Sequence, residues 1–148
     1  YSIPGIRVGW VASNTKVANI LRDYRDYTMI CAGVFDDMVA TLVLENKEAI
    51  LERNRQIIEE NLALMDEWIA KEPKASWIRP ASVSTSFVKL DVDRPIEVFA
   101  LELLQEYGVL VVPGNRFDKE SHVRIGYCCD KEVLQKGLEK LSQFLNKC

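Results

Sequence analysis

The chain has 148 residues, 48% of them hydrophobic, and a formal net charge of −3. That supplies one sizeable core and is the length of a single compact unit or of a piece of something larger. The absence of a basic stretch interleaved with aromatics excludes nucleic acid as the main partner, and no apolar run approaches the roughly 20 residues that span a bilayer.

In chain order, Ile6 to Ala12 reads as a short buried strand, and Ser13 or Asn14 offers a side-chain oxygen to cap a helix through about Tyr27. Thr28 to Gly33 is small and uncharged, which marks a loop. Val34, Phe35, Met38, Val39, Leu42 and Val43 then recur at helical spacing up to Asn46. From Lys47 to about Glu72 the pattern predicts a long amphipathic helix, stopped by Pro73. At about 1.5 Å per residue it reaches about 39 Å, long enough to bridge two lobes, so a domain boundary is expected along it.

Ser84 to Val92 alternates and is rich in β-formers, and Pro95 opens a helix whose Ile96, Phe99, Leu103 and Tyr107 share a face. Gly108 ends that helix in the left-handed conformation glycine tolerates. Val109 to Val112 and Val123 to Cys128 predict two further strands around the polar stretch Asn115 to Ser121, and a last helix runs from about Asp130 to Leu145.

Two arginines stand out against this frame. Arg7 follows Pro4 and Gly5 and precedes Gly9, so a fixed guanidinium sits where a ligand or another backbone can approach. Arg124 lies in His122-Val-Arg-Ile-Gly126, where alternation turns it away from Val123 and Ile125. A guanidinium presents a planar fork that matches phosphate or carboxylate oxygens two at a time. Residue type alone leaves other readings open: a salt bridge to a neighbouring carboxylate for Arg7 and an ordinary solvent-exposed cation for Arg124.

The segment Tyr1-Ser-Ile-Pro-Gly-Ile-Arg-Val-Gly-Trp10 resembles the stretch just after the cofactor lysine in fold-type I pyridoxal-phosphate enzymes, especially class I/II aminotransferases, whose pattern is Ser-x-x-Lys followed by Pro-Gly-x-Arg-x-Gly. Gly108-Val-Leu-Val-Val-Pro-Gly-Asn-Arg-Phe117 and His122-Val-Arg-Ile-Gly126 resemble that family's later Gly-Val-x-Val-x-Pro-Gly-x-x-Phe motif and Arg-Ile strand. The resemblance covers essentially the whole chain. It implies an α/β fold: the C-terminal small domain, a sheet of short strands packed by helices, plus the last strand and helices of the large domain. Residues 1–46 would end the large pyridoxal-phosphate-binding domain, and residues 47–148 would form the connecting helix and the small domain.

The resemblance also implies that Arg7 binds the phosphate of pyridoxal phosphate and that Arg124 holds the α-carboxylate of an amino-acid substrate, with keto acids as acceptors, in a homodimer. The family's cofactor lysine falls ahead of Tyr1, and neither Lys16 nor Lys89 replaces it. No catalytic residue is therefore assigned within the chain, and the isolated polypeptide is expected not to transaminate. A lyase or cyclising enzyme on the same fold, and a non-catalytic amino-acid-binding domain, are the alternatives.

The remaining polar features read more plainly. His122 is the only histidine and shares a strand face with Arg124, and no cysteine or carboxylate spacing completes a metal site. Asp36-Asp37 and the run Arg22 to Tyr27 read as solvated helix faces. The loop Thr28 to Gly33 corresponds to a region that approaches the neighbouring subunit's active site in family members, and Asn115 to Ser121 is either a determinant of substrate side-chain preference or an ordinary exposed turn. Cys31, Cys128, Cys129 and Cys148 suit a reducing cytoplasm rather than a disulfide framework.

Overall fold

The computed structural model describes residues 1–147, and the chain divides into two compact units, one running to Asn54 and the other beginning at Arg55. The division falls inside the long helix rather than at either of its ends.

The first unit opens with a 3-10 turn, Pro4–Ile6, followed by extended chain to Asn14. The strand expected over Ile6 to Ala12 is not formed. A strand exists only where a neighbour takes up its backbone N–H and C=O groups, and among the described residues no other strand pairs with this segment. Helix α1 (Thr15–Thr28) begins at Asn14, whose Oδ1 accepts a hydrogen bond from Val17 N at 3.0 Å. Helix α2 (Val34–Glu45) follows, with Asp36 and Asp37 in its first turn, where carboxylates favour the positive end of the helix dipole. Neither helix contains a buried residue.

Helix α3 (Lys47–Lys71) crosses into the second unit, where Leu62, Met65 and Trp68 enter the core. Strands β1 (Ala75–Trp77), β2 (Thr85–Leu90), β3 (Val112–Pro113) and β4 (His122–Gly126) form a sheet in the order β1-β2-β4-β3, antiparallel throughout. Strand β1 carries too few residues for a sequence pattern. Between β2 and β3 runs α4 (Ile96–Tyr107), closed by Gly108 at φ 67°, and α5 (Lys131–Lys147) ends the unit.

One face of the sheet is apolar. Val88, Leu90, Val123 and Ile125 pack in a single cluster with Ile96, Phe99 and Leu103 of α4, Leu138, Leu141 and Phe144 of α5, and the α3 residues. Two buried polar links tie α3 into this layer. Asn61 Nδ2 donates to the carbonyls of Tyr127 (2.7 Å) and Cys129 (2.8 Å), and Trp68 Nε1 donates to Ser142 Oγ (2.8 Å), which donates to Glu72 Oε2 (2.7 Å). The result is a two-layer α/β unit with helices on one side of the sheet.

Candidate functional site

The sheet's second face carries the polar side chains. Pairing sets Phe87 opposite Arg124 and Lys89 opposite His122, so alternation brings these four to one side while Val88 and Val123 take the other. Arg124 is half-buried. Its guanidinium carbon lies 5.2 Å from the centre of the Phe117 ring, and Phe117 meets Phe87 edge-on, with 5.3 Å between centroids and 80° between planes. Among the described residues no carboxylate pairs with Arg124, which leaves its donors available to an anion. His122 Nδ1 lies 2.8 Å from the Glu120 carbonyl, and the ring lines an adjoining groove of about 640 Å³ with Ser76, Phe87, Lys89 and Phe117.

Phe117 ends a 3-10 turn, Gly114–Phe117, within the stretch read from sequence as a polar loop. Glu97 of α4 holds this turn by accepting from Asn115 Nδ2 at 3.0 Å and by pairing with Arg116. Gly114 is required here: a Cβ would lie 2.3 Å from the Lys119 carbonyl oxygen and 2.6 Å from that of His122. Sequence reasoning found Arg124 and missed the ring beneath it. The signal is the phenylalanine of the Pro-Gly-x-x-Phe motif, whose partner lies seven residues further on.

Arg7, in the first unit, occupies the left-handed conformation (φ 45°) at the end of the opening turn, not a strand. Its side chain is exposed, and Nη1 donates to the Pro4 carbonyl at 3.0 Å. Among the described residues it pairs with no carboxylate, which leaves its other donors available to an anion. Gly5 and Gly9 face open space, as close approach by another group requires.

At the end of β4, burial raises the Tyr127 hydroxyl pKa, partly opposed by the positive charge of Arg79. The Cys129 thiol is also held above its ordinary value, first by burial and then by the negative charges of Asp130 and Cys128. Cys31, Cys128 and Cys129 are free thiols. Among the described residues no three metal-ligating side chains cluster, and no helix is long and apolar enough to cross a membrane.

A helix-backed antiparallel sheet whose open face carries an arginine with no carboxylate partner among the described residues defines an α/β domain with a candidate anion site. The chain belongs to the class I and II aminotransferase family, whose model matches residues 1–141. A PLP-dependent aminotransferase from Streptococcus suis is 67% identical, with a TM-score of 0.94 over 99% of this chain and 39% of its own. Capreomycidine synthase from Streptomyces vinaceus is 29% identical over 98% of this chain and 38% of its own length. A PLP-dependent cyclase is 25% identical, with a TM-score of 0.88 over 98% of this chain and 40% of its own. The chain thus spans about two fifths of the length of these relatives. It corresponds to the C-terminal part of a fold-type I enzyme, whose full-length cofactor is pyridoxal phosphate.

Proposed function

We propose that the chain is the C-terminal part of an aminotransferase that moves an amino group between an amino acid and a keto acid, with Arg124 gripping the substrate α-carboxylate. The observation that carries this reading is the Arg124 guanidinium, half-buried over Phe117 on the open sheet face, with no carboxylate partner among the described residues. Fixing the substrate at its carboxylate orients the α C–H bond for proton removal and makes the reaction effectively unimolecular. Arg7 is assigned the cofactor phosphate on the strength of its free donors and its place in the Pro-Gly-x-Arg-x-Gly motif. Pyridoxal phosphate, when bound, supplies the electron sink for that proton's departure.

Residues 1–46 then belong to the large cofactor-binding domain and residues 47–148 to the connecting helix and small domain. The reading includes a cytoplasmic homodimer, supported by three free thiols and by the exposed Met29 and Ile30 in the loop that would face a neighbouring subunit. A second reading is favoured by the cyclase relative: the same proton removal followed by elimination or ring closure.

The test uses the full-length, cofactor-loaded enzyme and a panel of L-amino acids with keto-acid acceptors, with products identified by mass. A keto acid is expected as product; a cyclised or eliminated product would replace transamination by the second reading. Arg124→Ala is expected to lower kcat/KM by roughly two to three orders of magnitude, as when one partner of a hydrogen-bonded charge pair is removed. The 148-residue chain with added pyridoxal phosphate is expected to give no turnover, because neither Lys16 nor Lys89 replaces the cofactor lysine of the family pattern. Steady turnover by that chain alone would overturn the assignment.

A further inference from the structure

We infer that Phe117 is a positioning residue for Arg124, setting the guanidinium's orientation through its ring while leaving the donors free. This rests on the reading of Arg124 as the carboxylate-binding arginine. A long side chain on an open sheet face samples many rotamers, and most take the fork out of line with a bound carboxylate. A protein carboxylate would fix the arginine but occupy the donors that the substrate needs. An aromatic face does the first without the second, because it attracts the cation from above and leaves the N–H groups at the guanidinium's edge unoccupied. The 5.2 Å separation of Arg124 from the Phe117 ring lies within the range of that attraction.

The ring is 43% exposed and is positioned by one neighbouring ring and by the turn that carries it. Phe87, directly opposite Arg124 across the β2–β4 pair, meets Phe117 edge-on. Glu97 clamps the turn through Asn115 and Arg116, and Gly114 allows the backbone of Lys119 and His122 to close over the turn's start. The turn is thus tied to α4 at one end and packed against the start of β4 at the other, and Phe117 is the side chain it delivers to the arginine.

The experiment uses the full-length, cofactor-loaded enzyme in single half-reactions followed by the cofactor's absorbance. The probes are L-alanine, L-aspartate and L-phenylalanine, with ethylamine and 2-phenylethylamine as carboxylate-free counterparts. Phe117→Leu is expected to raise the half-saturating amino-acid concentration about tenfold, with the saturated rate changed less than about twofold. Phe117→Trp should stay within about threefold of the parent, since it restores an aromatic face. Reaction of the amines should be unchanged in both variants. An unchanged half-saturation in Phe117→Leu overturns the proposal, and so does an equal loss toward amino acids and amines, which would mark a merely structural role.

Arg124→Ala keeps the two ideas apart. If it impairs amino acids selectively while Phe117→Leu does not, the positioning role falls and the carboxylate assignment stands. If it impairs neither class selectively, both fall. Should Phe117→Leu fail to fold, Glu97→Gln loosens the turn from outside the sheet face. It is expected to raise half-saturation about threefold for amino acids alone, and no change there overturns the proposal.

Discussion

The two compact units use their apolar residues in opposite ways. Every hydrophobic residue in the core lies at Leu62 or beyond, whereas in the first unit Trp10, Val34 and Phe35 are 70%, 73% and 83% exposed. Helices α1 and α2 are held by their own hydrogen bonds and by one side-chain cap, at lengths of 14 and 12 residues that are marginal for isolated helices in water. Regular local structure and a packed core are therefore separate achievements. Amphipathic spacing says which face needs cover, but the cover itself must come from elsewhere, and α1 and α2 contain no buried residue.

The strongest way to break this comparison is to cut the core. Phe99, fully buried against Phe144 with 4.9 Å between ring centroids, should cost about 3–5 kcal/mol of unfolding free energy when changed to Ala. Urea unfolding of the 148-residue chain, followed by far-ultraviolet circular dichroism, measures it; a loss below about 1 kcal/mol would mean that the second unit is not the stable one. Next in size is Ser142→Ala, which strands the Trp68 indole N–H and removes a donor to Glu72, 5% exposed, at a cost of about 1–3 kcal/mol in the same measurement.

Phe35→Ala should change the stability of the isolated chain by no more than about 0.5 kcal/mol, because its ring is already in water. Light scattering sharpens the contrast: self-association of the isolated chain should weaken in that variant, since contiguous exposed apolar surface drives association. A core-sized stability loss would erase the distinction between the units. The smallest effect concerns the thiols. The raised pKa of Cys129 leaves less thiolate at any given pH below it, so iodoacetamide at pH near 8 should label exposed Cys31 and Cys128 before Cys129, which gains reactivity as pH rises; peptide mass mapping reads the order.

Much of this contrast was legible in the residues. Asn14 as a cap, Gly108 in the left-handed conformation and the helical run from Lys47 all appear where spacing and turn chemistry put them. Arg124 was also legible, because alternation between Val123 and Ile125 turns it from the core. The strand expected at Ile6 to Ala12 does not form, since apolar composition and flanking glycines describe a segment willing to pair and not the partner. Phe117 went unnoticed for the same kind of reason: nothing between it and Arg124 in the chain signals that a turn clamped by Glu97 brings the ring under the guanidinium.

By itself, then, the order of residues determined the helices, their caps, the apolar face of each element and the family motifs, because those depend on atoms within a few positions of one another. Only the tertiary structure decided that β4 lies between β2 and β3, that Asn61 ties α3 to the end of β4, and that an unpaired arginine rests on an aromatic ring. These depend on groups far apart in the chain meeting at hydrogen-bond or contact distance, and where no such partner was present, as at Ile6 to Ala12, the same local signals produced no strand.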